Sequence, residues 1–141
     1  MSLVAIASGA AVFFLPPRRE NSPEIRLGVD KCAVCQMVIV DKRFAAVYRH
    51  EGRWEKFDDV ICLLRYLKEI GRLDDIKNAY VYDYLSGRLV KASEAYFVIT
   101  KKIPTPMGSG IVAFIDREQA AAYSEDGKIY TIEELAEKVL P

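Results

Sequence analysis

Hydrophobic and polar positions along the chain fall into three regimes. Residues 1–15 carry no charge and are mostly apolar. Residues 16–29 are rich in proline and charge and read as a linker. From Asp30 onward, short apolar runs alternate with turn residues, the pattern of a domain built from brief strands and short helices. The β-branched run 36–40 (Gln-Met-Val-Ile-Val) predicts a strand, as do 44–49 and 53–57, with Glu51-Gly52 as the turn between the last two. Asp58 or Asp59 then caps a helix running to about Ile70, with Gly71 as its stop. Val60, Leu64 and Leu67 share one face of that helix, with Phe57, Leu63 and Ile70 beside it. Cys62 falls on the other side and is not placed as a core residue of the helix; it reads either as packed under a loop or as a spare thiol. Further strands are predicted at 79–84, 96–100 and 111–115. Ser86-Gly87 turns the chain after the first of these, and the loop 101–110, with two prolines and two glycines, joins the other two. Asp116, with Gln119 three residues on, opens a short helix to Tyr123. Thr131 with Glu134 forms a capping box for a last helix to about Leu140.

A weak repeat runs through this order. In each half a strand ends in phenylalanine and acid, and a helix follows: Phe57-Asp58 in one, Phe114-Ile115-Asp116 in the other. The expected fold is therefore α+β, two small ββαβ-like lobes at about 30–92 and 93–141, with short helices packed on antiparallel or mixed sheets. The block 1–15 is short for the ~30 Å hydrocarbon core and lacks the basic start of a secretory signal. It reads as a hydrophobic N-terminal anchor or signal remnant, with 16–29 as the linker to a binding domain over 30–141.

Composition narrows the function. Of 141 residues, 51% are hydrophobic, enough for a real core. Twenty basic residues balance twenty acidic ones, so the one-signed field that a phosphate backbone demands is absent and nucleic acid is not the expected partner. One histidine, no recognisable serine-nucleophile motif and no framed pair of carboxylates leave little for catalysis, and the chain is not expected to be an enzyme. Three cysteines, Cys32, Cys35 and Cys62, cannot all pair within one chain.

The densest chemistry is Cys32-Ala-Val-Cys35-Gln-Met37, three sulfurs within six residues. If Cys35 opens a strand, Met37 points to the same face, and Cys32 approaches from the preceding turn. Thiolate with thioether is a soft donor set, which favours Cu(I); zinc and iron–sulfur sites rarely use a thioether. Met107, in Thr105-Pro106-Met107-Gly108-Ser109-Gly110, sits on a loop where core packing is a poor explanation for an apolar side chain. It is the candidate third ligand.

Taken with its other segments, the chain resembles the NosL family, accessory proteins associated with copper supply to nitrous oxide reductase. The matching pieces are Cys32-x-x-Cys35-x-Met37, Phe57-Asp58-Asp59, Asp83-Tyr84, Ala92-x-x-Ala95-Tyr96-x-Val98, and Pro106-Met107-Gly108 followed by Val112-Ala113-Phe114. The family carries glycine where this chain has Gln36, and its lipoprotein cysteine has no counterpart here. The resemblance implies Cu(I) held by Cys35 and Met37, with Met107 as third candidate. It also implies a metallochaperone that delivers copper to an extracytoplasmic copper enzyme or its membrane maturation complex, membrane-anchored and working in denitrification. Arg18 and Arg19 favour the cytosolic side by the positive-inside rule, so that placement stands beside the extracytoplasmic one.

Two other readings stay open. Cys32, Cys35, His50 and Cys62 add up to a Cys3His structural zinc set, although His50 beside Glu51-Gly52 also reads as a solvated turn residue. Cys32 and Cys35 could instead be a CxxC thiol-redox pair. Asp58 and Asp59 are most simply helix-capping residues, or an acidic docking edge.

Overall fold

The structure, a computed structural model, describes residues 22–141 and Gly9. The anchor expected at 1–15, apart from Gly9, and the linker up to residue 21 lie outside the described residues. No helix among the described residues is long and apolar enough to cross a membrane.

Strands β1 (Ala46–His50) and β2 (Arg53–Phe57) pair antiparallel. Glu51 and Gly52 close the hairpin, both at positive φ (50° and 77°). This is the mirror-image turn whose twist suits two adjoining strands. β1 also pairs with β3 (Tyr80–Tyr82), and β3 pairs with β4 (Leu89–Lys91), giving the antiparallel order β2-β1-β3-β4. Strand β4 was not expected: three residues with a half-exposed pattern are too short for alternation to register. Strands β5 (Tyr96–Ile99) and β6 (Ile111–Phe114) form a second antiparallel sheet. Beside it, Phe97 and Tyr130 exchange both backbone hydrogen bonds, at 2.9 and 2.8 Å. The order β6-β5-Tyr130 thus repeats β2-β1-β3.

Helix α1 (Val60–Glu69) follows β2, and α2 (Arg117–Tyr123) follows β6. Each is capped by the expected acid: Asp59 accepts from the Ile61 N–H, and Asp116 accepts from those of Glu118 and Gln119. Helix α3 (Ile132–Val139) is capped by Thr131, whose hydroxyl accepts from the Glu134 N–H. The architecture is α+β, as the spacing predicts.

One apolar cluster runs through both sheets. It includes Phe57, Leu63, Leu64 and Leu67 from the first half, and Phe97, Ile111, Ile132 and Leu135 from the second. Each fully buried leucine contributes about 2 kcal/mol relative to exposure. Asp83 ties the halves together, accepting from the Ser86 N–H (2.7 Å) within its own turn and from the Ile115 N–H (2.9 Å) at the end of β6.

The segment 36–40 is a correction. It forms no strand; only an isolated bridge links Val38 to Lys31. Gln36 stands at φ 64°, in the left-handed region, which breaks the extended run at its first residue. Of the residues that follow, Ile39 is buried, whereas Val40 is 74% exposed. Packed structure also reaches back before Asp30, because Ile25 is buried against Ile39, Ala45, Val47 and Tyr82.

Candidate metal centre

Cys32 and Cys35 lie on a tight turn. The Gln36 N–H donates to the Cys32 carbonyl (3.0 Å), and the Cys32 N–H donates to the Met37 carbonyl (2.9 Å). The turn leans on the free edge of β2, where the Ala33 N–H donates to the Lys56 carbonyl (2.8 Å). Its approach is pinned by Asp30, whose carboxylate accepts from the Arg26 guanidinium (2.7 Å) and the nearly buried Lys56 ammonium (2.8 Å). Burial would raise the Asp30 carboxyl, but these two cations overcome it and hold the group at about 2.

Because Gln36 turns left-handed, Cys35 does not open a strand and does not share a strand face with Met37. Instead Cys35 is half-buried, Met37 is 48% exposed, and Cys32 is fully buried. The chain folds Cys32 against the start of α1, where Cys62 and Asp58 complete a cluster. The three sulfurs and one Asp58 oxygen all lie within 4.8 Å of one another. The Cys35 thiol donates to Asp58 Oδ2 at 3.3 Å. Cys62, read from sequence as packed under a loop or spare and not as core, is fully buried in the main apolar cluster. A helical wheel places it away from the Val60 face, but the first turn of α1 is covered on both sides, with Val60, Ile61, Cys62, Leu63 and Leu64 all buried. A pair of adjacent acids where one cap suffices, with a cysteine just beyond, was the signal for this cluster.

His50 is not in it. It sits at the opposite end of the β1–β2 hairpin, paired with Arg53, with its ring against Tyr48 and Tyr66. The Cys3His zinc set is therefore not assembled; Asp58 stands where His50 was expected.

The electrostatics of the cluster are asymmetric. The Cys62 thiol and the N–H groups of Cys35, Asp58 and Val34 face the Cys32 sulfur and pull its pKa down to about 6 against the cost of burial. Burial pushes Cys35 up to about 11, helped by the neighbouring Cys32 and Asp58, while the Met37 N–H opposes the rise. Cys62 is pushed up by donating to Cys32 and by burial. A redox dithiol needs its thiolate open to a substrate disulfide. Here Cys32 is the sealed sulfur, and burial raises the pKa of the more accessible Cys35.

The loop carrying Met107 arrives at the same place. Asp59 caps α1 and also accepts from the Met107 N–H (3.0 Å) and the Ser109 hydroxyl (2.7 Å). Met107, partly buried, packs against the apolar cluster that contains Cys32 and Cys62. Gly110 lets the loop close: at φ 72°, a Cβ there would lie 2.2 Å from the Thr100 carbonyl oxygen.

A family model, NosL, matches residues 27–140, nearly the whole described chain. The chain belongs to the NosL family. Among solved structures, the crystal structure of the copper chaperone NosL from Shewanella denitrificans superposes with a TM-score of 0.66 at 24% identity. The match covers 82% of this chain and 95% of that one, and at this identity the likeness is one of fold. No curated protein matches the sequence.

Proposed function

We propose that this NosL-family chain binds one Cu(I) as cargo and passes it to a copper-accepting protein. Cys35 and Met37 are the primary ligands, with Cys32 and Met107 completing the set. The observation that carries the reading is convergence: the Cys32–Met37 turn and the Met107 loop, far apart in sequence, both anchor at Asp58-Asp59. Thiolate and thioether together suit a soft monovalent ion. Met37 at the surface and Cys35 at the edge of the interior put the ion where a partner can take it. The acceptor is an extracytoplasmic copper enzyme, nitrous oxide reductase or its maturation machinery, reached from a membrane anchor in 1–15. The family relation supports this destination.

Competition of the reduced chain against a Cu(I)-specific chelator tests the proposal. One ion per chain is expected, with weaker retention in Met107→Leu at unchanged melting, since that swap nearly conserves volume. Copper affinity and absorption-edge spectra unchanged in both Met37→Leu and Met107→Leu would remove the thioethers from the site.

A further inference from the structure

The large apolar side chains that the fold leaves outside are gathered in one place. Among the described residues, Leu27, Val29, Met37, Val38 and Val40 are five of the eight that stay exposed, at 39–74%. All five lie on the two arms that flank the cysteine turn. The arms run antiparallel: Lys31 faces Val38, and the Ile39 N–H donates to the Asp30 carbonyl (2.8 Å). Side chains alternate along such arms. Asp30 and Ile39 are buried, so Val29, Val38 and Val40 are turned out. Ile39 packs with Ile25, Val47 and Tyr82 on one face of the first sheet, and α1 covers the other, over Ala46, Tyr48 and Phe57. The patch thus lies outside a core that is already closed, and an apolar patch left outside marks a contact surface.

We propose that this valine-rich face rests on a lipid bilayer, with its aliphatic side chains in the interface and Lys31 and Lys42 at anionic headgroups. The chain that precedes the face decides what covers it. Residues 1–15 are uncharged and mostly apolar, and only residues 16–21 separate them from the described domain. Fully extended, that linker spans about 20 Å. With 1–15 in a membrane, Ser22 stands within that reach of it, and Ile25 is already packed into the domain. Leu27 follows two residues later. The tether therefore brings this face to the surface first. The charges agree: Lys31 lies opposite Val38, Lys42 follows Val40 by two residues, and neither is ion-paired among the described residues. Cations beside an anionic leaflet add to the attraction of inserted apolar area. An apolar block too short to span the hydrocarbon core also needs a second contact for a firm hold, as single acyl anchors do. Docked in this way, Met37, next to Val38, is held at the membrane surface. The proposal rests on the reading of 1–15 as a membrane anchor and not on the copper reading.

The full chain, reduced, is added to vesicles of phosphatidylcholine and phosphatidylglycerol, with or without bromine on the acyl chains as a short-range quencher of indole. The single tryptophan, Trp54, gives the background. Val40→Trp places a second indole on the patch. Glu137→Trp places one on the exposed side of α3, whose buried Ile132 and Leu135 share the cluster beneath α1, across the sheet from the patch. Both variants should bind through 1–15. The added emission of Val40→Trp should shift to the blue and be mostly lost on brominated vesicles, and that of Glu137→Trp should be mostly kept. Val29→Asp/Val40→Asp, at two exposed positions, should keep its melting temperature and Cu(I) retention but bind vesicles about 10-fold more weakly, the equivalent of one valine returned to water. Vesicle binding with equally little quenching in both tryptophan variants would overturn the proposal, give the face to a protein partner and leave the anchor standing. No binding to vesicles would overturn the anchor and the proposal together. A blue shift of Val40→Trp without lipid, in a chain that sediments as a dimer, would assign the face to a second copy and overturn the proposal as well.

Discussion

The two halves of this molecule are built alike and used differently. Each is a hairpin and a helix capped by an aspartate, with a further segment pairing beside the first strand, β3 in one half and the single residue Tyr130 in the other. In the first half the hairpin turn takes two residues, and the helix that follows is buried through its first turns under the Cys32–Met37 segment. In the second half the helix is mostly exposed, with Ala120 its one buried residue, and the hairpin loop runs across some ten residues. That loop reaches over to Asp59 of the first half. One copy of the motif supplies thiols and a sealed interior, and the other lends a methionine on a loop. The two halves differ at the turns and at two further positions, where Asp58 and Cys62 of the first correspond to Ile115 and Gln119 of the second.

Substitutions at matched positions can break this comparison, and the largest effect is expected at the hairpin turns. Gly52 and Gly110 both stand at positive φ, but Gly52 faces open space whereas Gly110 faces the Thr100 carbonyl. Gly52→Ala should cost about 1 kcal/mol of backbone strain. Gly110→Ala should cost about 4 kcal/mol, since backbone must also move. Equal shifts in the denaturant midpoint would mean the long loop is not locked in place.

The helix caps come next. Asp116→Ala removes an exposed cap and should cost about 1 kcal/mol. Asp59→Ala removes a buried cap together with the anchors of Met107 and Ser109, and should cost about 3 kcal/mol. Urea unfolding of the two variants side by side measures the difference, and similar costs would deny the Asp59 link.

The clamp at Asp30 belongs to the first half. Its carboxyl lies at about 2 in the folded chain, below its ordinary 3.8. The stabilisation is therefore present above the ordinary value and lost as pH falls through the folded one. Unfolding free energy should drop by about 2 kcal/mol as pH falls from about 4 to about 2, and Asp30→Asn should flatten that part of the profile. A drop unchanged in the variant would assign the acid sensitivity to other carboxyls.

The smallest effect is expected at Gln36, whose left-handed backbone glycine would adopt freely. Gln36→Gly should stabilise the chain by about 0.5 kcal/mol, after the entropy that glycine brings to the unfolded state. Destabilisation would show that the Gln36 amide, donating to the Ala33 carbonyl (3.4 Å), outweighs the strain.

Much of the frame was legible because its signals are local. Asp59, Asp116 and Thr131 act as caps through their own neighbours, and Glu51-Gly52 turns the chain by its own dihedrals. What sequence could not carry was set at a distance. The run 36–40 has strand composition, but no sheet edge takes it up and Gln36 bends it away. Cys62 looks set apart from the core on a wheel that knows one covering surface, whereas α1 has two. Asp58 and Asp59 look equivalent in the chain. The structure separates them, one holding the helix and the Met107 loop, the other facing three sulfurs. Of the expected ligands, Cys32 and Cys35 come together with Cys62, and the Met107 loop is tied to the residue next to Asp58.

The central claim is that the first half holds a metal cargo on its turn sulfurs while the second half only assists. Anaerobic titration of the reduced chain with Cu(I) against a competing chelator tests it most directly, comparing wild type, Cys32→Ala/Cys35→Ala and Met107→Leu. One Cu(I) per chain is expected in wild type, none retained in the double variant, and weaker retention in Met107→Leu. Retention by the double variant equal to wild type would contradict it.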